Sequence, residues 1–160
     1  MAESDLKTCA ARLESLGIVL PQPAAPLAAY VPWVVEGNLL LISGQLPMEN
    51  GRVRYTGKVG AELDLEAGVA AARLCAINIL AQAQAACGGD LERLGRCLRL
   101  AGFVSAGPGF IDHPKVINGA SELMLAVLGD AGRHARAAVG VSALPLDAAV
   151  EIEAMFSLKP

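Results

Sequence analysis

Arg136, Glu151 and Glu153 are the residues near the end of the chain whose types and spacing could do chemistry. Arg136 lies in HARAAVGVS, where Ala137, Val139 and Val141 alternate with Arg136, Ala138, Gly140 and Ser142. Glu151 and Glu153 lie in VEIEAMF, where Val150, Ile152, Ala154 and Phe156 alternate with Glu151, Glu153 and Met155. Side chains on a strand point alternately to its two faces, so each run has one apolar face and one face carrying charge. If both strands set their apolar faces on one core, Arg136, Glu151 and Glu153 share the other face. A guanidinium there can hold a carboxylate through two parallel hydrogen bonds, and a carboxylate can take a proton from water. The plainer alternative is a structural ion pair. It is a weak reason to place the residues there, because desolvation opposes the attraction of buried charges.

Other chemistries find less support. Cys9, Cys75, Cys87 and Cys97 form no C-x-x-C pair and each sits in an apolar segment, which reads as buried small hydrophobes. His113 and His134 flank turns or helix ends without companion ligands, so solvated or capping roles are expected and no metal is. Ser43 has no histidine placed by any pattern to activate it. Gly107-Pro108-Gly109 is too short and wrongly patterned for a phosphate loop. A net charge of −3 without a basic run argues against a nucleic-acid partner. The N-terminus, MAESDLKTCAARL, lacks the long apolar core of a secretory signal, and no uninterrupted apolar stretch approaches a membrane span. A cytoplasmic location is the default expectation.

The elements that must position these residues follow from periodicity. The 160 residues, 54% hydrophobic, read as a single domain over 1–160, with 1–17 as a helical appendage. Charged residues make up only 18%, so another copy is expected to cover part of the surface. Ser4 is the expected cap of the first helix and Gly17 its stop. Pro21, Pro23 and Pro26 keep the next stretch extended. Tyr30–Glu36 and Leu39–Ser43 form a hairpin about Gly37-Asn38, then Ser43-Gly44-Gln45 bends the chain. Arg52–Lys58 adds a short strand. Asp64 caps a main helix running to about Ala86 and closed by Gly88-Gly89. Arg96–Ser105 is a third major strand. Asp112 caps a second main helix with Pro114 in its first turn and Asn118 and Ser121 along its length. Hairpin, helix, strand, helix and two strands predict an α+β fold, a mixed sheet with two helices packed on one face plus the N-terminal helix.

At these residues the sequence resembles the RidA family, also called YjgF-type or endoribonuclease L-PSP proteins, over roughly Pro26–Leu158. Ser43-Gly44-Gln45-Leu46-Pro47 is similar to the family's S-G-Q-[IL]-P segment. Arg136-Ala137-Ala138-Val139 through Leu144-Pro145 to Glu151-Ile152-Glu153-Ala154 is similar to its C-terminal signature. The resemblance implies a chorismate-mutase-like fold, a homotrimer with sites between subunits, and hydrolysis of reactive enamines and imines to 2-keto acids and ammonia without a cofactor. It further implies that Arg136 holds the substrate carboxylate, that Glu151 orients and deprotonates the attacking water, and that Tyr30, Ser43, Gly44 and Asn118 line the cleft. Ala138 stands where the best-known members commonly have Cys. There the backbone carbonyl is the part expected to matter. The first helix, the region around Gly60 and the loop near Phe110 look like a longer subgroup. A trimer that binds or senses small carboxylates without turnover is the alternative, and ribonuclease activity a weaker third reading.

Overall fold

The computed structural model describes residues 7–23 and 29–160. In chain order these form α1 (Cys9–Ser15), β1 (Trp33–Glu36), β2 (Leu39–Gln45), β3 (Met48–Glu49), β4 (Arg52–Val53), α2 (Leu65–Ala86), β5 (Leu94–Ser105), α3 (His113–Leu128), β6 (Ala135–Val141) and β7 (Val150–Leu158). The main sheet has five strands in the order β1-β2-β7-β5-β6. Only β5 and β6 run parallel, joined through α3, and the other neighbours are antiparallel. The expected α+β arrangement is therefore present. The two closing strands share the sheet as expected but are not neighbours, because β5 lies between them.

Local sequence explains the element ends. Asp64 caps α2, its Oδ1 accepting the Ala67 N–H at 2.8 Å. Ser4 lies outside the described residues, and Thr8 is the cap of α1, accepting from the Ala11 N–H at 3.1 Å. Asp112 precedes α3 as expected but makes no capping bond, and pairs instead with Lys115 at 3.1 Å. The strand expected from Tyr30 begins only at Trp33, which leaves Tyr30 in the exposed approach to it. The strand expected over Arg52–Lys58 is shorter, Arg52–Val53, and pairs only with β3 across Asn50-Gly51. Both of those residues have positive φ (52° and 76°), the backbone a tight hairpin turn requires.

The core fills one face of the sheet. Leu40, Leu100, Val104, Ile152 and Phe156 are fully buried there beneath Ala72, Ala76, Ile79 and Leu80 of α2 and Ile117, Leu123 and Met124 of α3. Burying each large side chain contributes about 1.5–3 kcal/mol. The helices touch closely at Gly119, where an added Cβ would land on the Val69 backbone carbonyl. By length and composition α2 could cross a membrane, yet 56% of its apolar window is buried inside the fold. All four cysteines are buried and unpaired, and burial pushes the thiols of Cys9 and Cys97 up to about 11 and about 12. Among the described residues the opposite face carries no helix, and Val34, Leu41 and Val139 are between 39% and 49% exposed there.

Candidate carboxylate-binding site

Register decides where the charged residues go. Arg136 is paired with Leu100, Ala138 with Gly102 and Gly140 with Val104, and Leu100 and Val104 are fully buried on the helix side. Arg136, Ala138 and Gly140 therefore face the helices, while Val139 pairs with Phe103, which in turn pairs with Glu151. Glu151 and Val139 thus share the open face. The expectation that Arg136 lies on one face with Glu151 and Glu153 is overturned: within one chain Arg136 is on the opposite side of the sheet. The physical reason is that alternation reports only which residues are apolar. Val139 is apolar but exposed on a face without helices, while the room on the helix side of β6 is taken by Ala138 and by the long Arg136 lying against α3.

Arg136 is held by three successive turns of α3. One terminal nitrogen, Nη1, donates to Asn118 Oδ1 at 2.8 Å and to Ser121 Oγ at 3.1 Å, and Nη2 donates to the Pro114 carbonyl at 3.3 Å. A guanidinium carries five N–H groups, so two remain, the number a bidentate carboxylate needs. Asn118 is thus a direct neighbour of Arg136. Ala138 is the next residue on the same face, partly buried against the core. Nearby, His113 packs edge-on to Phe110 with ring centroids 5.4 Å apart, and an added Cβ at Gly140 would crowd the His113 ring. A cavity of about 330 Å³ opens beside the guanidinium, lined by Ser121, Glu122, Leu125, Arg133, His134 and Arg136.

Glu151 is built differently. Between Ile42↔Ala154 and Gln45↔Ile152 the register of β2 slips, so that Ser43 and Gly44 together oppose Glu153 in a bulge. The bulge brings the bare Cα of Gly44 under the half-buried Glu151 carboxyl group, and a Cβ there would come within 2.9 Å of its Cδ. Burial first, and the charge of Glu153 second, raise the Glu151 pKa. Among the described residues no cation pairs with this carboxylate. The ion pairs there are Arg54–Glu49, Lys115–Asp112 and Arg133–Asp130. A half-buried, unpartnered carboxylate is not explained by stability, since desolvating an unpaired charge costs free energy.

The remaining expected residues divide between the two halves. Ser43 donates to the Val31 carbonyl at 2.8 Å, which pins the approach to β1 next to the half-exposed Tyr30. Ser43 also edges an open-face cavity of about 360 Å³ with Leu41, Arg99, Glu153 and Met155. One chain therefore brings Arg136, Asn118 and Ala138 together on one side, and Ser43, Gly44 and Glu151 on the other. Sequence reasoning did not single out Ser121 or His134 as site residues. The available signals were spacing alone: Ser121 is one turn beyond Asn118, and His134 is two residues before Arg136.

An α+β sandwich with two long helices on one face of a mixed five-stranded sheet defines the chain as chorismate-mutase-like in fold. The family described as "YjgF/chorismate_mutase-like, putative endoribonuclease" matches residues 10–157, and the chain belongs to it. Protein TCP17 of Trypanosoma cruzi is 49% identical over 150 residues, covering 93% of each chain. The crystal structure of Atu1372 from Agrobacterium tumefaciens, also 49% identical, superposes with a TM-score of 0.90 over 98% of this chain and 94% of that one. RidA from an Antarctic Psychrobacter is 31% identical and superposes less closely, with a TM-score of 0.59 over 86% of this chain and 94% of that one.

Proposed function

We propose that the protein is a cofactor-independent hydrolase of reactive enamines and imines from amino-acid metabolism, releasing 2-keto acids and ammonia, and that it works as a homotrimer with its sites between subunits. The observation that carries the reading is the unpartnered Glu151 carboxylate beside Gly44, its pKa raised by burial. A base of raised pKa is better matched to taking a proton from water near neutral pH. Arg136 holds the substrate carboxylate with its two spare N–H groups. Glu151 removes a proton as water adds to the imine carbon, giving a carbinolamine. With the imine protonated, Glu151 then returns that proton to the carbinolamine nitrogen. As the C–N bond breaks and ammonia leaves, the hydroxyl gives its own proton back to the Glu151 carboxylate and the carbonyl forms, and that last proton passes to water.

Because Arg136 and Glu151 lie on opposite faces of one sheet, a second copy has to supply one of them. The open face, with Val34, Leu41 and Val139 exposed around Glu151 and Glu153, is the surface that such a copy would cover. A second reading is a trimer that binds or senses small carboxylates without turnover. It is favoured by the anchoring of Arg136, whose three acceptors all come from its own chain and need no Glu151.

Coupling the protein to a threonine dehydratase and following decay of the released imine tests the first reading. Acceleration that is lost in Arg136→Ala and in Glu151→Ala supports it. Decay no faster than in buffer sinks it. Keto-acid binding that needs Arg136 but survives Glu151→Ala, with no turnover, supports the second.

A further inference from the structure

The hydrogen bonds around Arg136 continue beyond Ser121. Ser121 Oγ lies 2.9 Å from His134 Nε2, and His134 Nδ1 lies 2.6 Å from the Gly132 carbonyl oxygen. A carbonyl has no hydrogen to give, so Nδ1 must be the nitrogen that donates. In the neutral ring Nε2 then carries a lone pair, and the Ser121 hydroxyl must donate to it. With its own hydrogen spent on His134, the Ser121 oxygen turns its lone pairs toward Arg136 Nη1, 3.1 Å away. Every link has one donor and one acceptor, and the direction is fixed from the Gly132 carbonyl outward.

We propose that His134 and Ser121 are positioning residues that orient the Arg136 guanidinium and so set the affinity of the site for a small carboxylate. This rests on the reading of Arg136 as the carboxylate anchor. The placement has a simple origin: His134 and Arg136 lie two residues apart, so both face α3, and Asn118 and Ser121 lie three apart, so both face β6. Arg136 is otherwise solvent-exposed, and an exposed arginine loses much rotamer freedom when it grips a ligand. Acceptors fixed in advance remove part of that cost. Ser121 without His134 would be free to rotate its hydrogen toward the arginine and repel it.

The test compares Ser121→Ala, His134→Phe, the double variant and His134→Gln in two assays, imine hydrolysis and calorimetric binding of 2-ketobutyrate. Ser121→Ala and His134→Phe are each expected to raise KM and Kd about 10- to 100-fold, the scale of one hydrogen bond to a charged group, with kcat within about twofold. Because both act through one chain of bonds, the double variant is expected to be no worse than either single one. His134→Gln, which keeps an acceptor for the hydroxyl, is expected to recover most of the affinity. Unchanged KM and Kd, or losses that multiply in the double variant, overturn the proposal. A third arm does not depend on the imine chemistry. Nitrogen-15 spectra of the wild type are expected to show His134 protonated at Nδ1 and Arg136 Nη protons that exchange slowly and merge in Ser121→Ala. His134 protonated at Nε2 alone, or Nη protons that do not respond, overturns the positioning role. Should the wild type neither hydrolyse imines nor bind keto acids while these signals appear, it is the functional reading that fails.

Discussion

Replacing Gly44 by Ala separates the chemistry of Glu151 from the stability of the fold. The added Cβ would fall on the Glu151 carboxyl group, within 2.9 Å of its carbon and 3.1 Å of Cγ. No backbone atom is among those nearest contacts, and the obstacle is the free end of a flexible side chain. Gly44 does not occupy the positive-φ region, so alanine fits its backbone. Swinging the carboxylate aside costs about 0.5–1.5 kcal/mol even if the side chain leaves a rotamer well. A misplaced general base, by contrast, forfeits roughly 10²- to 10⁴-fold in rate. Gly44→Ala is therefore expected to melt within a few degrees of the wild type, to bind 2-ketobutyrate normally through Arg136, and to lose imine hydrolysis. Gly119→Ala is the control with the opposite outcome. Its Cβ would meet the Val69 carbonyl, which cannot swing away, so it should destabilise by about 1–3 kcal/mol while its remaining folded fraction stays active. Imine decay in the dehydratase-coupled assay, read beside thermal melts, decides the matter. Full activity in Gly44→Ala would refute the role given to the Glu151 carboxylate.

Three further outcomes follow from the same geometry. The Glu151 pKa is raised in the folded state, so its charged form costs stability above that pKa and nothing below the ordinary carboxylate range. Glu151→Gln should accordingly melt higher than the wild type at neutral pH, with the gain vanishing in melts at acid pH, even as activity is lost. Arg136→Lys keeps the charge but cannot serve three acceptors on α3 and a bidentate ligand together, so keto-acid affinity should fall by about 10- to 100-fold in calorimetry. Asp64→Ala removes the cap on α2 and should cost about 1 kcal/mol in denaturant melts without changing KM.

The sequence made the frame readable because its punctuation is strong. Asp64 before an apolar run and Gly88-Gly89 after it bound α2 almost to the residue, and Gly37-Asn38 and Asn50-Gly51 set both hairpin turns. Leu39–Ser43 is a strand as expected, with Leu40 and Ile42 buried against the helices and Leu41 39% exposed on the other face. The faces of β6 were not readable. Two apolar demands, the core and the open face, leave the same alternating pattern, and only pairing with β5 shows which side Arg136 takes. Ser121 and His134 escaped because their meeting is tertiary. Twelve residues and the end of a helix lie between them, and no motif marks the pair.

Mixing two inactive variants shows whether Arg136 and Glu151 of different copies complete one site. Arg136→Ala supplies intact Glu151, and Glu151→Ala supplies intact Arg136. In randomly mixed cyclic oligomers, refolded or co-expressed together, roughly a quarter of the intersubunit sites would hold both wild-type residues. Imine hydrolysis recovered to about that fraction of the wild-type rate, where neither variant alone shows any, is the expected result. No recovery in verified mixed oligomers would contradict a site shared between subunits.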